Sequence, residues 1–362
     1  MIADFNEARW AQLKEKYQAW WDRTSAGPLM NVVITGVHSA VEKPEDFCGG
    51  PFSAYPVDYP IERVLAHIEY TLSARRYLGC AYPTYLPDFG AGVNAAFCGA
   101  DFEARPETVW FHPRRPETVG TLHLEHEPEN PLFKRISEFY EKADAYFAGD
   151  IVLGMTHLNN GIDTPARFVD SVEFCMALFD DPENITRLVW ENYELCQFYF
   201  RHFSGLMKHN RGFTMWGDIF APEPWLGAQS DFCAMIGPEH FRRFILPELT
   251  ACMAASPRYN FYHLDGRGEL PHLDMILDIP HLQTVQWVIS AGDETPDAGW
   301  MWLYKKIHDA GKRIWYMGPE QNLDLLADTL GDMRGVYWQT YGGVRDEERL
   351  ARALERFSAY TY

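Results

Sequence analysis

The sequence has few basic residues. Only 32 lysines and arginines stand against 51 aspartates and glutamates, which gives the 362-residue chain a formal net charge of −19. Proteins that bind nucleic acid meet the phosphate backbone with clustered lysine and arginine, and anionic membrane surfaces attract the same residues. The charge balance therefore argues against both kinds of partner.

Long apolar runs and paired cysteine motifs are also missing. The sequence has no uncharged apolar stretch of about 18 residues, which argues against a transmembrane helix. Its acidic start, MIADFNEARW, does not resemble a signal peptide. The seven cysteines never occur in a CxxC spacing, so we interpret them as reduced and mostly buried thiols. These absences predict a cytoplasmic location.

Repeats, low-complexity tracts and flexible linkers are absent as well. We therefore expect one domain over residues 1–362, with an elaborated N-terminal segment over roughly residues 1–130. Hydrophobic residues make up 47% of the chain, which is enough to build a large core.

After Asn130, helical segments alternate with short apolar runs that end in polar residues or glycine. This βαβ alternation is typical of a parallel sheet. The strand candidates there are Ile151–Leu158, Phe213–Asp218, Asn260–Asp265, Thr284–Ile289, Arg313–Met317 and Gly335–Thr340, and the N-terminal third adds the run Leu29–Gly36. Their number approaches the eight of a (β/α)8 TIM barrel, which is the α/β fold that we predict. An open doubly wound sheet is the alternative, but no GxGxxG or phosphate-loop pattern follows the first strand.

Polar and aromatic side chains lie where the predicted strands end, and in a barrel the chemistry lies at this end. The candidate substrate-binding residues are His157, Asn159, Trp216, Trp225, Gln286, Trp287, Trp338, Gln339 and Tyr341. Several tryptophans with carboxylates between them suit a flat, sugar-like or cationic ligand. The alternative is that the aromatic rings only fill the top of the barrel.

Acidic and imidazole groups at the same end are the candidate catalytic residues, namely Asp218, Glu223 and His263. The spacing of His263 and Asp265 places both side chains on one face of a strand, where they can converge on a metal ion or a substrate. The alternative is structural: His263 hydrogen-bonds to a neighbour in the barrel, and Asp265 caps the turn at Gly266.

Two segments carry a family resemblance. The run DFCAMIGPEHFRRFILPEL, which begins at Asp231, and the later segment Tyr262–Gly266 resemble the uroporphyrinogen decarboxylase-like superfamily. The segments Asp181–Ile185 and Ala310–Lys312 support the resemblance, which spans nearly the whole chain. It implies a (β/α)8 barrel. Members of the superfamily include porphyrinogen decarboxylases and zinc methyltransferases that serve corrinoid proteins.

The chain departs from both branches of the superfamily. Porphyrinogen decarboxylases hold substrate carboxylates with an arginine-rich segment, whereas Pro28–Gly36 contains no arginine. The methyltransferases bind zinc through a His-x-Cys pair and a later cysteine. Here His263 matches, Asp265 replaces the first cysteine, and Gly342 falls near the later one.

An oxygen- and nitrogen-rich site can still hold zinc or another divalent ion. Its tentative ligands are His263 and Asp265, with Glu223 or Asp218 as a further candidate. In a version without metal, Asp218 or Glu223 is the general acid or base and His263 shares the proton.

The resemblance and the candidate residues together predict a methyltransferase. It would move a methyl group between a small O- or N-methylated substrate and a corrinoid protein, with an aspartate or glutamate protonating the leaving atom. Two alternatives stay open. One is a decarboxylase or lyase of a small carboxylated or sugar-like compound, and the other is a catalytically silent barrel that binds a ligand. A homodimer is also open at this stage.

Overall fold

The structure is a computed structural model that describes residues 5–105, 108–290 and 292–358. Its strands are β1 (Leu29–Thr35), β2 (Arg75–Gly79), β3 (Thr84–Tyr85), β4 (Asp101–Ala104), β5 (Val109–His112), β6 (Val152–Leu153), β7 (Phe261–Asp265), β8 (Thr284–Val288), β9 (Arg313–Tyr316) and β10 (Val336–Gly343). Its helices are α1 (Glu7–Trp21), α2 (Ile61–Ser73), α3 (Val93–Phe97), α4 (Pro131–Phe147), α5 (Ser171–Asp180), α6 (Pro182–Leu206), α7 (Pro238–His240), α8 (Leu246–Ala255), α9 (Leu273–Leu277), α10 (Met301–Asp309), α11 (Leu323–Leu330) and α12 (Glu347–Ser358).

A six-stranded sheet organises the chain, with the strand order β2-β1-β10-β9-β8-β7. Its neighbouring strands run parallel, except for the antiparallel pair of β1 and β2. Most strand residues are buried, as expected for a parallel sheet that other elements cover on both faces. The alternation of helices and strands that the sequence predicts is therefore confirmed, and the fold is of the mixed α/β class.

The predicted strands at both ends of the chain match the observed ones to within a few residues, but two in the middle do not. The candidate Ile151–Leu158 shrinks to β6, which pairs in parallel with β3. The candidate Phe213–Asp218 forms no strand, because the chain turns back and Phe213 bridges to Ala221. Glycine at position 217 and a positive φ of 52° at Asp218 make this reversal.

Single backbone hydrogen bonds continue the sheet beyond its ladders. The Met155 N–H donates to the Thr214 carbonyl (2.9 Å), and the Ala228 N–H donates to the Phe261 carbonyl of β7 (2.9 Å). On the other side, the Cys80 N–H donates to the Met30 carbonyl of β1 (2.8 Å). Among the described residues, the ladders themselves do not close into a barrel.

Helix α1 packs onto this sheet through an aromatic face. The buried residues of that face are Trp10, Leu13, Tyr17, Trp20 and Trp21. Two hydrogen bonds attach its last turn: Trp21 Nε1 donates to the Phe220 carbonyl (2.8 Å), and Arg313 Nε of β9 donates to the Trp20 carbonyl (3.0 Å). The buried hydrophobic cluster that includes α1 extends to Phe357.

No helix in the described part of the chain is long and apolar enough to cross a membrane.

The cap of α4 offers a test of how this fold is held. Asn130 Oδ1 accepts the N–H groups of Leu132 and Phe133 (3.1 Å each), and Nδ2 donates to the Ala96 carbonyl (2.8 Å). Because Asn130 is buried, Asn130→Ala leaves these groups without partners. We expect the free energy of unfolding to fall by about 2 kcal/mol, measured by chemical denaturation.

The matched control is Asn6→Ala at the exposed start of α1. There the side chain accepts one N–H, that of Arg9 (3.0 Å). We expect a loss of about 0.5–1 kcal/mol. Equal losses in the two variants would contradict the role assigned to the buried cap.

Candidate functional site

The carboxyl end of β7 carries a group of ligand-type side chains. His263 and Asp265 lie on the same face of the strand, and Asp231 joins them from the turn that follows Ala228. One ligand atom from each of these three residues lies within 4.8 Å of the others, and all three side chains are partly buried. The predicted pair therefore exists, with Asp231 rather than Asp218 or Glu223 as the third member.

A glutamine on the next strand selects the tautomer of His263. Gln286 of β8 sits opposite His263, and its Oε1 lies 2.6 Å from His263 Nδ1. Gln286 Nε2 donates to the Met317 sulfur (3.3 Å), so the amide oxygen faces the imidazole. An amide oxygen only accepts, so Nδ1 donates to it, and in the neutral imidazole Nε2 then holds the lone pair. This is the tautomer in which Nε2 can bind a metal ion.

The carboxylates around this group repel one another. Burial raises the pKa of Asp231 to about 7, and the charges of Asp163 and Asp265 add to the rise. Burial also raises the pKa of Asp163. The Asp163 carboxylate accepts the N–H groups of Asp231 (2.9 Å) and Phe232 (2.8 Å), which holds the turn in place. A cation bound between Asp231 and Asp265 would relieve the repulsion.

His157 and Trp216 form a wall beside the same group. Their rings stack at a centroid distance of 4.0 Å, and Trp216 lies edge-on to His263 at 6.4 Å. His157 Nε2 is 2.7 Å from Gln229 Oε1, and Gln229 Nε2 donates to the Asp231 carboxylate (3.1 Å). Burial lowers the pKa of His157 and favours its neutral form. The structure thus brings His157, Trp216, Gln286 and His263 together, as the sequence predicts.

Asp218 belongs to a second group of side chains. Its Oδ2 accepts a hydrogen bond from the Tyr341 hydroxyl (2.6 Å) and one from Gln339 Nε2 (3.0 Å), both on β10. Gln339 Oε1 in turn accepts the indole N–H of Trp315 (3.1 Å). Burial raises the pKa of Asp218 to about 6, against the two hydrogen bonds that lower it. This carboxyl group can therefore carry a proton near neutral pH.

The backbone of Asp218 is held as firmly as its side chain. The hydroxyl groups of Tyr17 and Tyr82 donate to its carbonyl oxygen, at 3.2 and 3.0 Å, and the Tyr337 hydroxyl is shared between this oxygen (3.1 Å) and the Gly217 carbonyl (2.9 Å). This contact stabilises the left-handed backbone conformation at residue 218. Between Asp218 and His263, no hydrogen bond exists in the described structure, so the predicted proton sharing between them has no direct contact there.

Two of the predicted pocket tryptophans face away from the site. Successive side chains on a strand point to opposite faces. The Trp287 ring lies 4.7 Å from Trp300, and Trp338 Nε1 donates to the Gly318 carbonyl (2.9 Å). Both indoles are buried between the sheet and its covering elements. The interpretation of these tryptophans as packing residues is the one that the geometry supports.

Trp225 is also a packing residue. It is 1% exposed, and its ring lies 6.0 Å from Trp21 of α1 and 5.6 Å from Phe261, the first residue of β7. Its Nε1 donates to the Phe213 carbonyl (3.3 Å). These contacts place it at the start of the strands rather than at their ends.

Glu223 does not join Asp218, because the chain reverses between them. The Phe213 N–H donates to the Ala221 carbonyl (2.7 Å), and the Ala221 N–H donates back to Phe213 (2.9 Å). The residues after Ala221 therefore run beside the beginning of the segment whose end carries Asp218. Glu223 is exposed there. A linear sequence pattern cannot show this reversal, which removes Glu223 from the candidate site.

Asn159 is a buried residue that contacts the site through Asp163. The side chain is 1% exposed, and its Nδ2 donates to Asp163 Oδ2 (3.0 Å). Its backbone carbonyl accepts the side-chain amides of Asn94 (2.8 Å) and Asn192 (3.2 Å). Asn159 therefore orients Asp163 instead of lining open space.

Three residues of the site were not predicted from the sequence: Asp163, Gln229 and Asp231. Asp231 is the first residue of the run that carries the family resemblance, which was a usable signal. Gln229 and Asp163 lie in turns, where no periodicity marks them. Their importance follows only from the hydrogen bonds that they make.

Comparisons with known proteins identify a shared fold. No protein-family model matches the chain, and neither does any curated protein. Among solved structures, the chain is similar to a methyltransferase from Methanosarcina mazei, with a TM-score of 0.59 and 12% sequence identity. The match covers 96% of this chain and 99% of the other. At this identity the likeness shows the fold alone, and it shows that fold over nearly the full length of both proteins.

The raised pKa of Asp218 predicts a cost in stability. A carboxyl group whose pKa is higher in the folded state stabilises the fold only while protonated, and this contribution is lost as the pH rises through about 6. Asparagine tolerates the same backbone conformation and stays neutral. We expect Asp218→Asn to raise the free energy of unfolding by about 1–3 kcal/mol at pH 8.

Chemical denaturation at pH 4 supplies the comparison, because the wild-type carboxyl group is then protonated in the folded protein. We expect the difference between the two proteins to vanish there. A constant difference at both pH values would argue against a raised pKa at Asp218.

Proposed function

We propose that the chain is an enzyme that moves a methyl group from a small O- or N-methylated substrate to a corrinoid protein. The observation that carries the proposal is the triad of Asp231, His263 and Asp265, whose ligand atoms lie within 4.8 Å of one another. The fold that the chain shares with a methyltransferase supports the same reading.

We propose further that the sheet belongs to a closed (β/α)8 barrel of the uroporphyrinogen decarboxylase-like superfamily. The single hydrogen bonds that link β1, β3, β6 and β7 through short intervening segments support this reading. So does the position of both side-chain groups at the carboxyl ends of strands, where barrels carry their chemistry.

The three ligand-type residues fit a divalent ion. Two carboxylates and a neutral imidazole are ligands that zinc and related ions accept, and three protein ligands leave a coordination position open. His263 is oriented for binding by Gln286. When bound, such an ion supplies Lewis acidity toward the oxygen or nitrogen that bears the methyl group.

The chain itself supplies the proton. As the methyl group departs to the corrinoid protein, the bond between carbon and the leaving oxygen or nitrogen breaks and that atom gains a negative charge. Asp218, with a pKa of about 6, donates a proton to it from its carboxyl group. Tyr341 and Gln339 hold the carboxyl in position, while the stacked rings of Trp216 and His157 wall the pocket.

A lyase or decarboxylase of a small carboxylated compound is the second candidate. The observation that favours it is the same raised pKa of Asp218, because acid catalysis by this group requires no metal ion. Under this alternative the triad binds substrate through His263 and leaves no stoichiometric metal in the purified protein. The metal content therefore separates the two functions.

The first experiment is elemental analysis of protein purified without a chelator or an affinity tag. We expect one divalent ion per chain in the wild type and loss of the ion in His263→Ala. Gln286→Leu keeps the ligand but removes its orientation, so we expect metal affinity to fall by about 10- to 100-fold.

His308→Ala, on α10, is the matched control and should retain the ion. A parallel assay incubates small methoxy and methylamino compounds with cob(I)alamin and follows its absorbance. Absence of metal from the wild type, with no methylation of the cobalamin, would refute the proposal. Release of carbon dioxide from a carboxylated compound would then favour the lyase.

The acid role of Asp218 predicts a pH profile. The proton must be present for donation, so kcat should fall as the pH rises through about 6. The Tyr341 hydroxyl lowers the pKa of Asp218, so Tyr341→Phe should move this limb to higher pH. Asp218→Asn should lower kcat by about 10²- to 10⁴-fold. A limb that stays in place in Tyr341→Phe would exclude Asp218 as its source.

A further inference from the structure

Four basic side chains line one cavity at the amino ends of β9 and β10. The cavity measures about 230 Å³, and its cations are Arg23, Lys312, Arg313 and Arg334. Arg313 is the first residue of β9, and Gly335, which also lines the cavity, directly precedes β10. The candidate active site lies at the opposite, carboxyl ends of the strands. This basic cavity is therefore a separate feature of the fold.

Two of the cations contact neutral acceptors instead of carboxylates. The Arg23 guanidinium donates to the Gly311 carbonyl (2.5 Å), and Lys312 Nζ donates to the Leu282 carbonyl (3.1 Å). Within the described ranges, neither side chain forms an ion pair. Burial and the charge of Arg23 both lower the pKa of Lys312, as expected for cations that lie close together without an anion between them.

Arg313 is buried in the same way, with 2% of its surface exposed. Its Nε and Nη2 donate to the carbonyls of Trp20 (3.0 Å) and Trp21 at the end of α1, and its Nη1 donates to Gln283 Oε1 (2.9 Å). The last carbonyls of a helix carry only partial negative charge. They orient the guanidinium group but do not neutralise it.

The acidic residues around the cavity leave an excess of positive charge. Asp332 lines the cavity and pairs with Arg334 (2.5 Å). Asp22 lies outside the lining and pairs with Arg258 (3.7 Å). His308, another lining residue, has its Nδ1 3.5 Å from an oxygen of Asp309. Four cations thus face one carboxylate in the wall of this cavity, although the chain as a whole has a net charge of −19.

The backbone of Arg23 is unusual as well. Its φ is 61°, a left-handed conformation that residues other than glycine rarely adopt. It directly follows Asp22, the C-cap of α1, where glycine is the common choice. An arginine is therefore held at some cost in backbone energy at the mouth of a cavity that is already positive. Such a cost is typical of a functional position.

We propose that the basic cavity binds a phosphate group, either as inorganic phosphate or as part of a small phosphorylated metabolite. Guanidinium and ammonium groups bind phosphate oxygens through charge-assisted hydrogen bonds. A dianion also neutralises more of the excess positive charge than a carboxylate does. Binding at this cavity does not depend on the proposed methyl transfer.

Titration calorimetry of the purified protein in a phosphate-free buffer of constant ionic strength tests the proposal. The probes are inorganic phosphate, ribose 5-phosphate and acetate. We expect inorganic phosphate or ribose 5-phosphate to bind at least about tenfold more tightly than acetate. Tighter binding of ribose 5-phosphate than of inorganic phosphate would identify a phosphorylated metabolite as the ligand, whereas equal or weaker binding would identify inorganic phosphate.

Two variants locate the binding. Arg23→Gly removes one cation, and the protein should still fold because glycine adopts the same backbone conformation without strain. Lys312→Met removes another and retains an apolar stem. Each should lower phosphate affinity by about 10- to 100-fold. Arg352→Met is the matched control, because Arg352 pairs with Glu348 on the exposed face of α12, and it should leave the affinity unchanged.

The variant His263→Ala separates this cavity from the triad. It removes the proposed metal ligand, so any phosphate that binds to an ion at the triad should be lost, whereas binding at the basic cavity should persist. Equal affinity for the phosphates and acetate, an equal loss in Arg352→Met, or loss of phosphate binding in His263→Ala would overturn the assignment. Saturating phosphate should also raise the free energy of unfolding of the wild type more than that of Arg23→Gly.

Discussion

The carbonyl oxygen of Asp218 is the point on which the candidate site depends. Three tyrosine hydroxyls converge on it, from α1, from the segment before β3 and from β10. They hold a residue in a backbone conformation that an aspartate rarely adopts. The same reversal directs the Asp218 carboxyl toward Tyr341 and Gln339 and sends the following chain back along the preceding segment. Site geometry and local fold therefore share one set of contacts.

The two side-chain groups differ in their electrostatic environment. Around Asp231, His263 and Asp265, negative charges are gathered and their repulsion is unrelieved, an arrangement suited to a bound cation. In the second group, burial raises the pKa of the Asp218 carboxyl group to about 6, which is close to neutral pH. A fold selected for stability alone would have avoided both arrangements, since each raises the energy of the folded state at neutral pH.

Much of the scaffold could be predicted from the sequence, because periodicity and chain order determine it. The strands β7 to β10 match their predicted ranges to within three residues, and the pair His263 and Asp265 follows directly from the two-residue repeat of a strand. The same repeat, once the register is known, assigns Trp287 and Trp338 to the opposite face. The sequence shows the repeat but not the register. The prediction from the sequence therefore assigned too many tryptophans to the pocket.

The errors at Glu223 and Trp225 have another origin. Both residues were assigned to the strand ends because they follow Asp218 closely, but a hairpin at Gly217 and Asp218 reverses the direction of the chain. Asp163 and Gln229 were missed because their roles are made of hydrogen bonds to backbone and amide groups, which leave no trace in composition or spacing. Turns thus hold the part of this site that a linear pattern does not reveal.

The three-tyrosine contact also bears on how the protein is made. Tyr17 and Asp218 are separated by 201 positions, and Tyr337 lies a further 119 positions beyond Asp218. During synthesis, the contact between α1 and Asp218 cannot form until the middle of the chain has been made. The contact with Tyr337 cannot form until β10 has been made. Asp218 and the three tyrosines therefore come together only after β10 has left the ribosome. A nascent or truncated chain that lacks β10 therefore lacks the assembled contact.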